Sequence, residues 1–302
     1  MTKKNLGRFM DLTTDFGFKT VFSEKNEELL LSFLNGIFEG RKVIVKINHL
    51  RLKQLGNSPE DRDAIFDLYC TDEDANHYIV EMQVAQQKNF MDRCLYYAAM
   101  AIQAQVPKGE WDYGLKPLYV ISILNFNLWD DNTDCINHHS LMNEKTLTVS
   151  SDKLQLITVE LQKFTKSIAE VGDSDLYKWL FCMKHQSEFL EQPAEIQGKI
   201  FNELFAITEL NKLNKKDMET YELSEKRRYD YQLTVDYAEE KGLERGRMEG
   251  RMEGEKKGRH EGEKKGRYET TLFIAKQMRE NGASLEFIVA TTGLTPEQLK
   301  KI

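Results

Sequence analysis

The sequence predicts an α/β protein: a helix, three strands, a helix and a further strand form a core, and a C-terminal helical region follows. Three observations predict it. Leu29, Leu30, Phe33, Leu34, Ile37 and Phe38 recur at helical spacing. Three stretches between residues 42 and 85 alternate at the spacing of a strand. Residues 117–126, PLYVISILNF, are almost wholly apolar, as expected of a strand buried on both faces.

The first helix closes at Gly36 and Gly40, residues that favour the end of a helix. The strands follow as KVIVKINHLRLKQL (42–55), DRDAIFDLYC (61–70) and HYIVEMQVA (77–85), and the polar stretch TDEDAN between the last two makes them an antiparallel hairpin. The second helix runs from about Phe90 to Gln105, with Cys94, Leu95, Ala98, Ala101 and Ile102 on one face. Beyond Phe126 the sequence WDDNTDCINHHSLMNEKT reads as loop, and LQLITVEL (154–161) as one more strand. From Asp175 to about Glu240 the pattern turns helical, most clearly in LYKWLFCMKH and IFNELFAITEL.

The tail differs in kind. Glycine recurs at every fourth position from Gly242 to Gly266, and EGEKKGR occurs at 253–259 and again at 261–267. Glycine disfavours a helix while the Glu and Lys/Arg content favours one, so a marginal charged helix or a spacer is expected, with a basic arm on DNA phosphates as the functional alternative. Residues 268–302 form a small end piece in which Ser284 and Thr295 are N-caps, Pro296 and Gln298 complete a capping box, and Gly293 suits the turn between helices. Its second helix is too short, and lacks the arginine, to read base edges as a helix-turn-helix does, so capping or homo-oligomer assembly is the expected role.

Composition narrows the function. With 302 residues, 40% of them hydrophobic, the chain can fill a real core. No apolar run is long enough to span a membrane and the N-terminus lacks the apolar stretch of a signal peptide, so the reading is an intracellular, cytoplasmic protein with no membrane partner. Cys70, Cys94, Cys135 and Cys182 form no CxxC pair, which excludes a zinc ribbon or redox dithiol and leaves reduced, part-buried thiols. The net charge of −7 argues against a protein that coats nucleic acid, although residues 1–53 and 241–267 each carry ten basic against six acidic residues. There is no phosphate-binding GxxxxGK[ST] loop and no G-x-S-x-G elbow, and His138-His139 reads as loop surface.

The hairpin carries the chemistry. Centred on Asp74, it pairs Cys70 with Tyr78 and, by the same sum, Asp67 with Glu81. Alternation puts Ala64, Phe66, Leu68 and Cys70 with Tyr78, Val80, Met82 and Val84 on one face, and Asp63, Ile65, Asp67, Tyr69, Ile79, Glu81 and Gln83 on the other. Directly opposed like charges destabilise a sheet unless a proton is shared or a cation intervenes. Two readings stand at this point: a solvated acidic face, or a site for a hard divalent ion held by Asp67, Glu81 and the Met82 backbone carbonyl.

Asp67, a hairpin turn and then Glu81-Met82-Gln83 resemble the D…(D/E)xK signature with Gln in place of Lys. The opening TTDFGFKTVFSE, the FLNGIF helix end, VEMQVAQQKNFMDRCLYYAA and the glycine-charged tail are similar to the recombination-promoting nuclease (Rpn) or transposase family of the PD-(D/E)xK superfamily. The resemblance implies a restriction-endonuclease-like core and metal-dependent hydrolysis of DNA, with Asp67 and Glu81 as ligands of Mg²⁺ or Mn²⁺ and Gln83 as the third catalytic position. Lysine there can stabilise negative charge, whereas an amide can only orient, so either the metal does most of the activation or Lys88 or Arg93 supplies the cation. Arg93 and Tyr97, at i and i+4, share a helix face and could meet a phosphate or the carboxylates. Glu28 and Asp63 are candidate supporting acids, and Lys19 a candidate phosphate contact. The implied organisation is a nuclease-like domain over 1–165, a helical subdomain over 166–240, a spacer over 241–267 and the end piece over 268–302. The rival expectation is a nuclease fold with weakened chemistry that binds DNA or protein.

Overall fold

Thr14 accepts the Gly17 N–H at 3.1 Å and so caps helix α1 (Asp15–Val21). The expected order of elements lacks this helix. It packs tightly on the segment before it: a Cβ at Gly17 would lie 2.3 Å from the Asp11 carbonyl oxygen, so the approach requires glycine. Helix α2 (Glu27–Ile37) follows and buries Leu29, Leu30, Phe33 and Leu34 completely, each worth roughly 1.5–3 kcal/mol in the transfer of apolar surface from water. The computed structural model describes residues 7–50, 53–54, 64–107 and 109–300; Asp63 lies outside them.

Of the run 42–55, only β1 (Ile47–His49) and β2 (Lys53–Gln54) are strand among the described residues. The reason is local. The Asn35 side chain accepts the Ile44 N–H at 2.7 Å and donates to its carbonyl at 2.9 Å, which pins this segment to α2 and leaves Val43 and Val45 exposed. Strand β3 (Ala64–Ile65) pairs with β2, and β4 (Leu68–Asp72) forms the hairpin with β5 (His77–Gln83) in the predicted register, Cys70 opposite Tyr78. The buried Asp72 carboxylate fixes the turn by accepting the Asp74 and Asn76 N–H groups, the Tyr78 hydroxyl and the Lys42 ammonium.

One element of the predicted hairpin is corrected. A bend at Phe66–Asp67 breaks the alternation before β4, so Phe66 lies on the face opposite to that of Leu68 and Cys70. There it packs edge-on against Tyr69, with ring centroids 5.2 Å apart.

Helix α3 (Phe90–Gln103) crosses over from β5 to the parallel strand β6 (Leu118–Leu124). Strand β7 (Ile136–Met142) occupies sequence expected to be loop, and β8 (Val149–Glu160) covers the last predicted strand except Leu161, which starts a 3-10 turn. The sheet order is β1-β4-β5-β6-β8-β7, with β5, β6 and β8 parallel and the outer pairings antiparallel. His138 and His139 therefore sit half-buried in an edge strand, and burial, the largest effect on each, lowers both pKa values, His138 to about 4. An edge strand with bulges at Ser140–Met142 and few apolar residues shows no alternation in its sequence.

Helices α4 (Asp175–His185) and α5 (Lys199–Ile207) join α1 and α2 over one face of the sheet, around Trp179, whose indole N–H donates to Ser32 at 3.0 Å. Helix α3 covers the other face, over Ile79, Val120 and Leu124. Helix α6 (Lys215–Glu280) is fastened by its start to the opening segment: the Tyr221 hydroxyl accepts the Asp11 N–H at 2.9 Å and Ser224 accepts the Phe16 N–H at 3.3 Å.

The described chain divides into two units, Met1–Gln232 and Leu233–Ile302. In the second, α7 (Leu285–Thr292) and α8 (Pro296–Leu299) bury Ile288, Leu294 and Leu299 with Ala275. Ser284 and Thr295 cap these helices, Gln298 completes the capping box, and Gly293 takes the left-handed conformation at φ +69°. All four cysteines are free thiols. No helix among the described residues is long and apolar enough to cross a membrane.

Candidate active site

Beyond Leu68 the β4 backbone bends away, and the last residues of β5 face an open strand edge on that side. Asp67 fills the edge. Its N–H donates to Glu81 Oε1 at 3.2 Å, and its Oδ2 accepts the Met82 N–H at 3.0 Å. Because N–H and C=O of one strand residue point to the same side, the Met82 carbonyl faces this same edge. Gln83 donates from Nε2 to Glu81 Oε2 at 3.3 Å. The structure thus brings Asp67, Glu81, the Met82 backbone and Gln83 together.

The two carboxylates are under electrostatic stress. Burial raises the Glu81 pKa most, the Asp67 charge adds to it, and the Asp67 N–H, Arg93 and Lys19 offset only part, so the group is pushed up to about 8. Asp67 is also raised, first by burial; the Met82 N–H, Lys19 and Arg93 oppose this, and the Asp15 charge adds to it. At neutral pH the pair therefore holds a proton between its members or needs a cation.

Arg93 and Tyr97 face the pair from α3. Arg93 donates to Gln87 Oε1 at 2.5 Å and its guanidinium lies 5.5 Å from the Phe90 ring centroid and 6.0 Å from that of Tyr97. Tyr97 rests edge-on against Phe66 at 5.4 Å, and its pKa is raised by burial first and then by the Glu81 charge. Glu28 is engaged elsewhere: it forms an ion pair with Lys199 of α5. Lys88 is exposed in the turn before α3, lining a cavity of about 490 Å³ with Trp129.

Asp15 and Lys19 were not legible as a pair at this site. They form an i, i+4 ion pair at 2.5 Å on α1, and both act on Asp67. The available signal was the N-cap Thr14 ahead of Phe18, Val21 and Phe22 at helical spacing, which places one helix face on the core and the Asp15–Lys19 face off it.

The donor set suits a hard divalent ion. Asp67, Glu81 and the Met82 carbonyl offer oxygen only, and burial holds both carboxyl groups above their ordinary pKa, so a cation there would favour their ionised forms. Among the described residues no cluster of three or more His, Cys, Asp or Glu capable of holding a metal occurs, so carbonyl and water oxygens would complete the shell, as Mg²⁺ tolerates. A family model described as PD-(D/E)XK nuclease family transposase matches residues 12–238, about three quarters of the chain. No curated protein and no solved structure matches significantly.

Proposed function

We propose that this chain, which belongs to the PD-(D/E)XK nuclease family of transposases, cleaves DNA endonucleolytically by hydrolysing a phosphodiester bond with Mg²⁺, or Mn²⁺, held at Asp67, Glu81 and the Met82 carbonyl. The observation that carries this reading is the placement of Asp67 against Glu81 through backbone N–H bonds, which gathers two carboxyl groups whose pKa values burial raises and whose ionisation a cation would complete. When bound, the ion supplies Lewis-acid charge to the scissile phosphate and to the attacking water.

The chain's own residues do the rest. Gln83 steadies the Glu81 carboxylate through its amide but brings no charge. Arg93 supplies the cation that Gln83 does not: its field already reaches both carboxylates, and its planar fork suits a phosphate bearing developing negative charge. Tyr97 and Phe90 hold that guanidinium by their ring faces. Lys88, exposed at the turn, is a further phosphate contact in the same reading, while Glu28 is committed to Lys199. The protein would act where DNA is, in the cytoplasm, and recombination or mobile-element biology is the setting that the family's description supports.

The test is cleavage of supercoiled plasmid with Mg²⁺, with Mn²⁺ and with EDTA, for wild type, Asp67→Ala and Glu81→Ala. Nicking that needs the metal and is lost in both variants is the expected result. Activity indifferent to both substitutions would remove this site from the reaction. DNA binding with no cleavage by wild type would make the chain a binding module built on a nuclease fold.

A further inference from the structure

A cleft of about 340 Å³ opens beside the end of β5. One wall is the start of α1 with Thr14 and Asp15, the floor is Gln83 to Ala85, and the far wall is α6. Thr220, Ser224, Arg227 and Tyr231 follow one another at spacings of four, three and four, so a single face of α6 lines the cleft. The cleft is continuous with the proposed active site, because Gln83 lines it and touches Glu81, and Asp15 lines it and acts on Asp67.

We propose that this cleft carries the DNA strand as it leaves the scissile phosphate, and that Arg227 binds a backbone phosphate there. The inference rests on the nuclease reading and adds to it a binding residue from α6. Two adjacent arginines face the cleft and only one is free for this role. Arg228 is neutralised by Asp11 at 3.1 Å and Glu225 at 3.2 Å, whereas Arg227 is exposed and makes no ion pair among the described residues. Its position is set by the bonds from Asp11 to Tyr221 and from Phe16 to Ser224, which fasten this part of α6 to the segment bearing Asp15. A chain of net charge −7 with a carboxylate pair at its centre must meet a polyanion through local cations, and a pre-positioned arginine provides one. Tyr231, one turn further and 41% exposed, presents a flat ring beside it on which a base or sugar can rest.

The test is equilibrium binding of a labelled DNA duplex in EDTA by the full chain, measured by fluorescence anisotropy over a series of KCl concentrations. Removing one phosphate contact lowers the slope of log affinity against log salt by about one. Arg227→Gln should show that loss on every DNA sequence tried, and Arg227→Lys should restore the slope. A merely structural role would weaken binding without changing the slope in a way that lysine repairs. If wild type binds DNA and Arg227→Gln keeps the full slope, the inference is overturned, while the nuclease reading is decided separately by the plasmid cleavage. If wild type cleaves no DNA and binds none, that reading fails and takes the inference with it.

Discussion

The Asp67 N–H donates to the Glu81 carboxylate at 3.2 Å, while the Asp67 carboxylate accepts the next amide along the partner strand, that of Met82, at 3.0 Å. Each residue is thus held by the other's strand, and the two carboxylates share one poorly solvated edge. The arrangement is not neutral in energy: burial raises both pKa values, and for Glu81 the Asp67 charge adds to it, while the two N–H donors offset only part.

A pH dependence follows for the metal-free protein. Glu81 titrates near 4.5 when unfolded and near 8 when folded, so between these values the folded state binds more protons than the unfolded state. Its contribution to stability is full below the lower value and is lost as pH rises through the upper one. Melting in EDTA across this window should show Tm falling toward pH 8, and Glu81→Gln should flatten the profile. Because Mg²⁺ competes with the proton, the gain in Tm on adding it should grow with pH. A wild-type profile identical to that of Glu81→Gln would sink the argument.

Arg93 should matter to rate more than to folding. Its side chain is half-buried over two rings and directs charge at the pair, and it makes no ion pair among the described residues. Arg93→Ala is expected to lower kcat by on the order of 100-fold, the scale for removing a preorganised cation or donor, with little change in the urea midpoint. Arg93→Lys should recover only part, since lysine cannot both reach Gln87 and lie flat on Phe90 and Tyr97. A variant with full kcat would return the role of cation to Lys88 or to the metal alone.

The hairpin register was legible because TDEDAN marks the turn and the flanking apolar residues admit only one pairing that buries them; counting then brings Asp67 beside Glu81, although the strand pairing ends at Leu68–Val80 and the contact runs through the Asp67 N–H. The placement of Phe66 was not legible, since alternation presumes an unbroken strand and the bend at Asp67 breaks it. Strand β7 was hidden by its edge position and its polar, bulged sequence. Asp15, Arg227 and the cleft between them depend on contacts such as Asp11 with Tyr221, more than two hundred residues apart, which no local pattern encodes.

Glu160 makes a separate stability prediction. It is fully buried at the end of β8, where Oε2 accepts the Leu128 N–H at 2.7 Å and pairs with Lys163 at 2.9 Å, and Oε1 accepts the Asn137 amide at 3.2 Å. Glu160→Ala would leave Lys163, itself almost wholly buried, without its counter-charge. The expected cost is about 3–5 kcal/mol, read as a lower urea midpoint with m unchanged. A shift under about 1 kcal/mol would mean that water replaces the carboxylate at this site.

The glycine repeat allows the last test. All seven glycines from Gly242 to Gly266 lie within α6, and a Cβ added at any of them meets nothing within 4 Å. Each therefore costs the helix about 1 kcal/mol relative to alanine with no compensating contact among the described residues. Spaced by four, they form a ridge that turns about 40° around the helix axis per step, so no single straight face is made of glycine. If the helix stands alone, Gly254→Ala with Gly258→Ala should slow amide exchange across residues 241–267, each alanine by roughly fivefold. If instead a second helix packs against the ridge, the added methyl groups would obstruct it, and exchange would quicken while sedimentation showed a loss of self-association. The sign of the change in exchange thus separates a solvated charged helix from an assembly surface, without reference to the nuclease activity.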